Sequence, residues 1–213
     1  MRLTLRTTSS SSEKAFAGVY VGQATGPVYK VAFRRRRKNL TNYAKRLALV
    51  KGGSPRMVVR KSSTGVNVQF FEFTNKGDLV IASVRSQALK QYGWSPRCNS
   101  PTAYLCGLLA GKLAGKKGIK EFNLDIGMYT PSKGSLVFAA LKGALDSGLR
   151  SNYSDDMIAD DRITGAKIAE YAKMLKEKDE AKYSRMFSSY IKDKFQPEKM
   201  VEAFNAAKGK ISA

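Results

Sequence analysis

The chain has 213 residues, with 38 Lys and Arg, 17 Asp and Glu, two cysteines, no histidine and a net charge of +21. The absence of histidine excludes Ser-His and Cys-His nucleophile pairs and imidazole metal sites. Cys98 and Cys106 are too few for a disulfide framework or a four-thiolate zinc site, which leaves a reducing, cytosolic setting as the default. A 43% hydrophobic composition with ten Tyr and ten Phe supports a folded core. The longest apolar stretch, around residues 103–110, is far short of the ~20 residues that cross a bilayer.

Residues 1–23 are rich in Ser and Thr and read as a flexible tail. Arg2 and Arg6, with Glu13 the only acid there, leave a transit peptide or an upstream start codon open. Residues 24–50 read as a basic extension. Gly26-Pro27 opens an extended segment over 28–33, and the run Arg34-Arg35-Arg36-Arg37-Lys38 follows. Residues 39–50 form a short helix, because Leu40, Tyr43, Leu47 and Val50 recur at spacings of three and four.

The stretch 51–152 reads as an α/β core domain. Strands are expected at 56–62, 66–73 and 79–85, joined by Ser63-Thr64-Gly65 and Asn75-Lys76-Gly77-Asp78. Connections this short force an antiparallel meander. Alternation puts Arg60, Ser62, Asn67, Gln69, Ser83 and Arg85 on one face, which is either a solvated surface or an RNA platform.

A helical turn over 87–92 and a loop over 94–101 lead into a helix over 100–115, with Pro101 in its first turn. Gly107, Gly111 and Gly115 form a stripe along it, and the expected compensation is close approach to the sheet. A buried strand at 121–126, a loop at 130–134, a helix over 135–147 ended by Gly148 and a short strand at 149–152 complete the domain. Strand-helix-strand crossovers make part of the sheet parallel. The expected class is therefore α/β: a mixed sheet, with a three-stranded meander plus parallel strands, under covering helices.

Residues 153–213 form a helical C-terminal extension, with stretches at 164–178, 183–194 and 197–208. It reads as an arm or as a pack against the first domain. Charge changes at the same place. Residues 1–150 carry 26 Lys and Arg against six acids, net +20, whereas residues 151–213 carry 12 against 11. An excess this localised points to a polyanion. Membrane binding needs an apolar insertion face, and the run 34–38 interleaves no apolar residue. Phosphates fit it better than lipid.

Several motifs occur in a specific order. Gly26-Pro27-Val28-Tyr29-Lys30 precedes the basic run. Pro101-Thr102-Ala103-Tyr104-Leu105-Cys106-Gly107-Leu108-Leu109-Ala110-Gly111, Leu124-Asp125-Ile126-Gly127, Pro131-Ser132-Lys133-Gly134 and Gly143-Ala144-Leu145-Asp146-Ser147-Gly148-Leu149 follow. This order resembles the large-subunit ribosomal protein family that binds 5S ribosomal RNA, the eighteenth protein of the universal large-subunit series. Ile168-Ala169-Glu170-Tyr171-Ala172 and the C-terminal helices place the resemblance on the archaeal and eukaryotic branch; it covers roughly residues 24–208.

The resemblance implies a fold related to the ribonuclease-H-like motif, without its catalytic centre, metal or cofactor. It implies a cytoplasmic, ribosomal location in the central protuberance. The partners are 5S ribosomal RNA, the large-subunit ribosomal RNA and neighbouring ribosomal proteins, with no membrane and no small-molecule substrate. RNA contacts map onto Tyr29, Lys30, Arg34, Arg35, Arg36, Arg37 and Lys38 in the basic segment, and onto Arg46 in the helix after it. On the sheet face and adjoining loops they map onto Arg56, Arg60, Lys61, Ser62, Gln69, Arg85, Ser132 and Lys133.

Arginine suits this work because its planar fork binds phosphate bidentately and stacks on bases. A run without internal acids is expected to order only on RNA. Tyr29, Phe33 and Tyr43 can stack on bases, although Tyr43 reads equally as a core residue of its helix. Two rivals remain. A Mg²⁺-dependent, ribonuclease-H-like nuclease needs gathered carboxylates, and Asp125 with Asp146 is the conceivable pair. A DNA-binding or general RNA-chaperone role shares the basic run but predicts little preference among nucleic acids. A Cys98/Cys106 metal site is weak for want of further ligands.

Overall fold

The computed structural model describes residues 26, 27 and 29–212. The expected tail at 1–23 and Val28, at the head of the extended segment, lie outside them. Two short helices come first, α1 (Arg34–Arg37) and α2 (Tyr43–Lys51). Helix α2 starts later than the periodicity suggests because Asn42 caps it, accepting from the amides of Ala44 and Lys45 at 3.1 and 3.2 Å. A cap of this kind contributes about 1 kcal/mol.

Strands β1 (Arg56–Lys61), β2 (Val66–Thr74) and β3 (Gly77–Arg85) form the expected meander. Strand β4 (Asn123–Asp125) adds in parallel beside β1, which gives the order β3-β2-β1-β4. The period-two pattern sends Met57, Val59, Val66, Val68, Phe70, Ala82 and Val84 into the core. The ladder shifts register at Phe70/Phe71, where Ile81 is the extra residue of β3. Such a bulge increases local twist. The last expected strand shrinks to one parallel bridge, Glu121↔Arg150.

A 3₁₀ turn (Ser86–Tyr92) leads to α3 (Ser100–Lys116), which is buried along most of its length. Asn99 caps α3 through the Thr102 amide at 3.1 Å, and Pro101 sits in its first turn. Helix α4 (Leu136–Asp146) lies beside it. The glycine stripe faces α4 rather than the sheet, which corrects the sequence expectation. A Cβ on Gly107 would collide with the Ala140 carbonyl, and one on Gly143 with the Tyr104 carbonyl. A Cβ on Gly111 would meet the Ser147 hydroxyl and lie 3.2 Å from the Ala144 Cα. The reason is steric. The sheet's inner face is filled by Met, Val and Phe side chains, whereas α4 offers Ala140, Gly143 and Ala144, so only two bare helix stripes can touch.

The C-terminal part holds α5 (Asp160–Ile163), α6 (Ala166–Lys178), α7 (Glu180–Met186), α8 (Ser188–Lys192) and α9 (Met200–Ser212). The single stretch expected over 183–194 breaks at Phe187 into α7 and α8. This part packs on the α/β domain instead of projecting as an arm. The Phe204 ring of α9 lies 5.4 Å from Tyr104 and 6.3 Å from Trp94, and Phe195 lies 5.6 Å from Trp94. Lys112 donates to the carbonyls of Ile211 and Ser212. Arg97 pairs with Asp193 at 2.6 Å, and Asn99 donates to the Tyr190 hydroxyl at 2.8 Å.

Candidate nucleic-acid interface

The face of the sheet turned away from α3 and α4 is ordered in cross-strand rows. Arg60, Asn67 and Arg85 stand opposite one another across β1, β2 and β3. Val58, Gln69 and Ser83 form the next row, with Gln69 donating to the Ser83 hydroxyl at 3.3 Å. Arg60, Ser83 and Arg85 are exposed. The polar face predicted from alternation therefore exists, and no helix of the described residues covers its Arg60–Arg85 end.

The basic segment stands beside this face. Arg34, Arg35, Arg36, Arg37 and Lys38 are all exposed, and the first four form the single turn of α1 rather than an irregular strand of chain. Arg35 donates to Thr41 at 2.8 Å, which folds the turn back toward α2. The Phe33 and Tyr43 rings meet at 5.4 Å, so Tyr43 pairs with a ring that is itself 72% exposed instead of entering the core. Tyr29 is partly exposed at 41%, and Lys30 is exposed.

Two of the predicted cations occupy another position. Arg56 lies on the outward row of β1 yet is only 3% exposed. It is held by Asp78 at 2.9 Å and Asp125 at 3.1 Å. Arg46 of α2 donates to both Asp78 oxygens at 2.9 and 2.8 Å. The sequence places both arginines among the free cations because neither carboxylate is near them in the chain. A buried guanidinium needs charged partners, and the fold supplies one from β3 and one from β4. This four-member network ties α2, which has no buried residue of its own, to the sheet.

The remaining predicted residues lie at the β1 end and in the loop after β4. Lys61 is exposed with its ammonium 4.8 Å over the Tyr129 ring. Ser62 belongs to the β1–β2 turn, where its hydroxyl donates to the Gly65 carbonyl at 3.0 Å. Ser132 and Lys133 are exposed in the loop before α4. Arg35 of the basic segment, Arg60 of the sheet face and residues 126–129 of the loop after β4 line one cleft of about 420 Å³, whereas Ser132 and Lys133 lie outside its lining. Lys45 lines it as well. Sequence reasoning missed Lys45 and Tyr129, although an aromatic two residues past the Gly127 turn was a usable signal.

Among the described residues the carboxylates of the rival nuclease are engaged elsewhere. Asp146 accepts from the Tyr104 hydroxyl at 2.5 Å and pairs with Lys142 at 3.6 Å, while Asp125 holds Arg56. Among the described residues no three metal-ligating side chains gather, and no helix is long and apolar enough to cross a membrane. Burial pushes the Cys106 thiol up to about 12, which keeps it protonated and inert.

Fold and surface together define a basic α/β protein with a cationic, partly aromatic face. A family model described as ribosomal large subunit proteins 60S L5 and 50S L18 matches residues 28–123. The large ribosomal subunit protein uL18 of Thermofilum pendens is 47% identical over 190 residues, covering 88% of this chain and 97% of the relative. The chain therefore belongs to the uL18 family of large-subunit ribosomal proteins, in its archaeal and eukaryotic form. It is a structural ribosomal protein and not an enzyme.

Proposed function

We propose that the chain binds 5S ribosomal RNA and anchors it against the large ribosomal RNA in the central protuberance, beside neighbouring ribosomal proteins. The observation that carries this reading is one cleft lined by Arg35 of the basic segment, Lys45 of α2, Arg60 of the outward sheet face and Tyr129 of the loop after β4, with Arg85, Ser132 and Lys133 exposed outside its lining. Tyr29, Lys30, Arg34, Arg35, Arg36, Arg37, Lys38, Arg60, Lys61, Ser62, Gln69, Arg85, Ser132 and Lys133 are the residues we assign to RNA. Arg46 and Arg56 act one step back, by fixing α2 and the sheet edge that present them. The strand order, with its parallel β4 and residual bridge at Arg150, supports the ribonuclease-H-like relation.

Each phosphate neutralised by a Lys or Arg releases counterions and steepens the salt dependence. Specificity comes from the shape of folded RNA, its 2′-hydroxyls and its unpaired bases. The test is competition at physiological salt between 5S RNA, tRNA and duplex DNA. The proposal expects 5S RNA to bind at least tenfold more tightly than either. Equal affinities would favour the general chaperone.

A further inference from the structure

We infer that the cleft between α2 and the outer face of β1 seats a single unstacked nucleotide, with its base on Tyr129 and its phosphate among Arg35, Lys45 and Arg60. The identity of the ligand as part of an RNA rests on the function proposed above; the seat itself rests on the cavity. Its volume, about 420 Å³, falls in the range of small-ligand clefts, roughly 300–1,000 Å³. It takes one nucleotide and not a helix. A duplex keeps its bases stacked and paired, so only an unpaired residue can turn into such a space.

The charges on its walls suit a phosphodiester. Five cations line the cleft, Arg35, Lys45, Arg46, Arg56 and Arg60, against the carboxylates of Asp78 and Asp125. Both carboxylates are already held by Arg46 and Arg56. Arg35, Lys45 and Arg60 have no carboxylate within ion-pair distance among the described residues. They are the cations left to meet an anion that enters.

The aromatic wall suits a base. Tyr129 lines both this cleft and a second cavity of about 290 Å³, whereas Lys61, whose ammonium caps the ring at 4.8 Å, lines only the second. The ring thus carries the Lys61 ammonium over it and also forms part of the wall of the basic cleft. A ring backed by an ammonium is held in place, and stacking on it is tolerant of base identity because every base has a π-face.

The test uses the full chain and two kinds of probe. AMP, adenosine and inorganic phosphate are titrated separately while the NMR signals of the Tyr129 ring and the Arg60 and Lys45 amides are followed. AMP is expected to shift all three groups saturably, and more tightly than adenosine or phosphate alone. AMP shifts confined to residues 34–38, or none, overturn the seat. On 5S RNA, Tyr129→Leu is expected to weaken binding about five- to 100-fold with the salt slope unchanged, since stacking releases no counterion. Arg60→Gln is expected to lower the slope by about 0.7–0.9. Unchanged RNA affinity in Tyr129→Leu counts against the seat. AMP binding in the cleft without any preference for 5S RNA supports the seat and sinks the 5S assignment. A 5S preference without AMP shifts sinks the seat alone.

Discussion

The α/β part and the C-terminal helices use charge in opposite ways. In the first part acids are scarce, and Asp78 and Asp125 are spent inside the molecule on Arg46 and Arg56. The other cations of the cleft and of α1 have no carboxylate partner among the described residues. In the helical part the counts balance, and ions pair with one another, Lys176 with Glu198 and Lys167 with Asp161, while Asp193 pairs across to Arg97 of the α/β part. Its rings, Tyr183, Phe187, Tyr190 and Phe195, stack in series and reach Trp94. One part leaves most of its cations exposed. The other pairs its charges and braces the first.

The sharpest break of that contrast is steric. Gly107→Leu drives a side chain into the Ala140 backbone and is expected to leave little folded protein, because overpacking alone costs about 1–3 kcal/mol where neighbours can yield and a backbone cannot. Calorimetry reads the lost transition. A normal thermal midpoint would contradict the α3–α4 interlock.

Replacing Arg34, Arg35, Arg36 and Arg37 with Ala does the converse. The salt slope for RNA should fall by about 3, while the thermal midpoint stays put, because none of the four is buried. A collapsed midpoint would make the run structural.

Asp78→Asn tests the link between the two uses of charge. It raises net charge by one, so simple electrostatics predicts tighter RNA binding. The network predicts weaker binding, by a few-fold, because α2 loses its hold on the sheet; hydrogen exchange in α2 should rise at the same time. Tighter binding would remove the positioning role of Asp78.

The smallest effect is acid sensitivity in the brace. The Asp193 carboxyl is held below its ordinary value by the Ser95 hydroxyl, against the cost of burial, with help from Arg97. Burial would raise Glu198, but its own backbone amide, Tyr183 and Lys176 outweigh it. Both folded-state values are lowered, so their stabilisation is complete above about pH 4.5 and is lost as pH falls through them. A near-UV signal from Trp94 should therefore loosen in acid, and Asp193→Asn should blunt that response. An unaltered acid profile in the variant would show that Asp193 carries no share of it.

Local signals exposed most of the framework. The meander followed from alternation and short turns, and Pro101 and Gly148 marked the start of α3 and the end of α4 near their observed positions. What escaped the sequence depends on partners distant in the chain. The glycine stripe was visible at Gly107 and Gly111, but not that α4 would answer it with Gly143. Arg56 alternates outward like Arg60, yet carboxylates 22 and 69 residues away bury one and leave the other open. The cleft was illegible for the same reason: Arg35, Lys45, Arg60 and Tyr129 meet only after α2 folds back on the sheet. The basic segment itself was readable, since a run of like charge needs no tertiary contact to be seen.

The most direct measurement is lysine reactivity of the whole chain, by mass spectrometry, with and without 5S RNA. Protection is expected at Lys30, Lys38, Lys45, Lys61 and Lys133, while Lys167, Lys173, Lys178 and Lys182, exposed on the helical part, keep their free-chain reactivity. Protection spread evenly over both sets, or confined to the second, would contradict the RNA assignment.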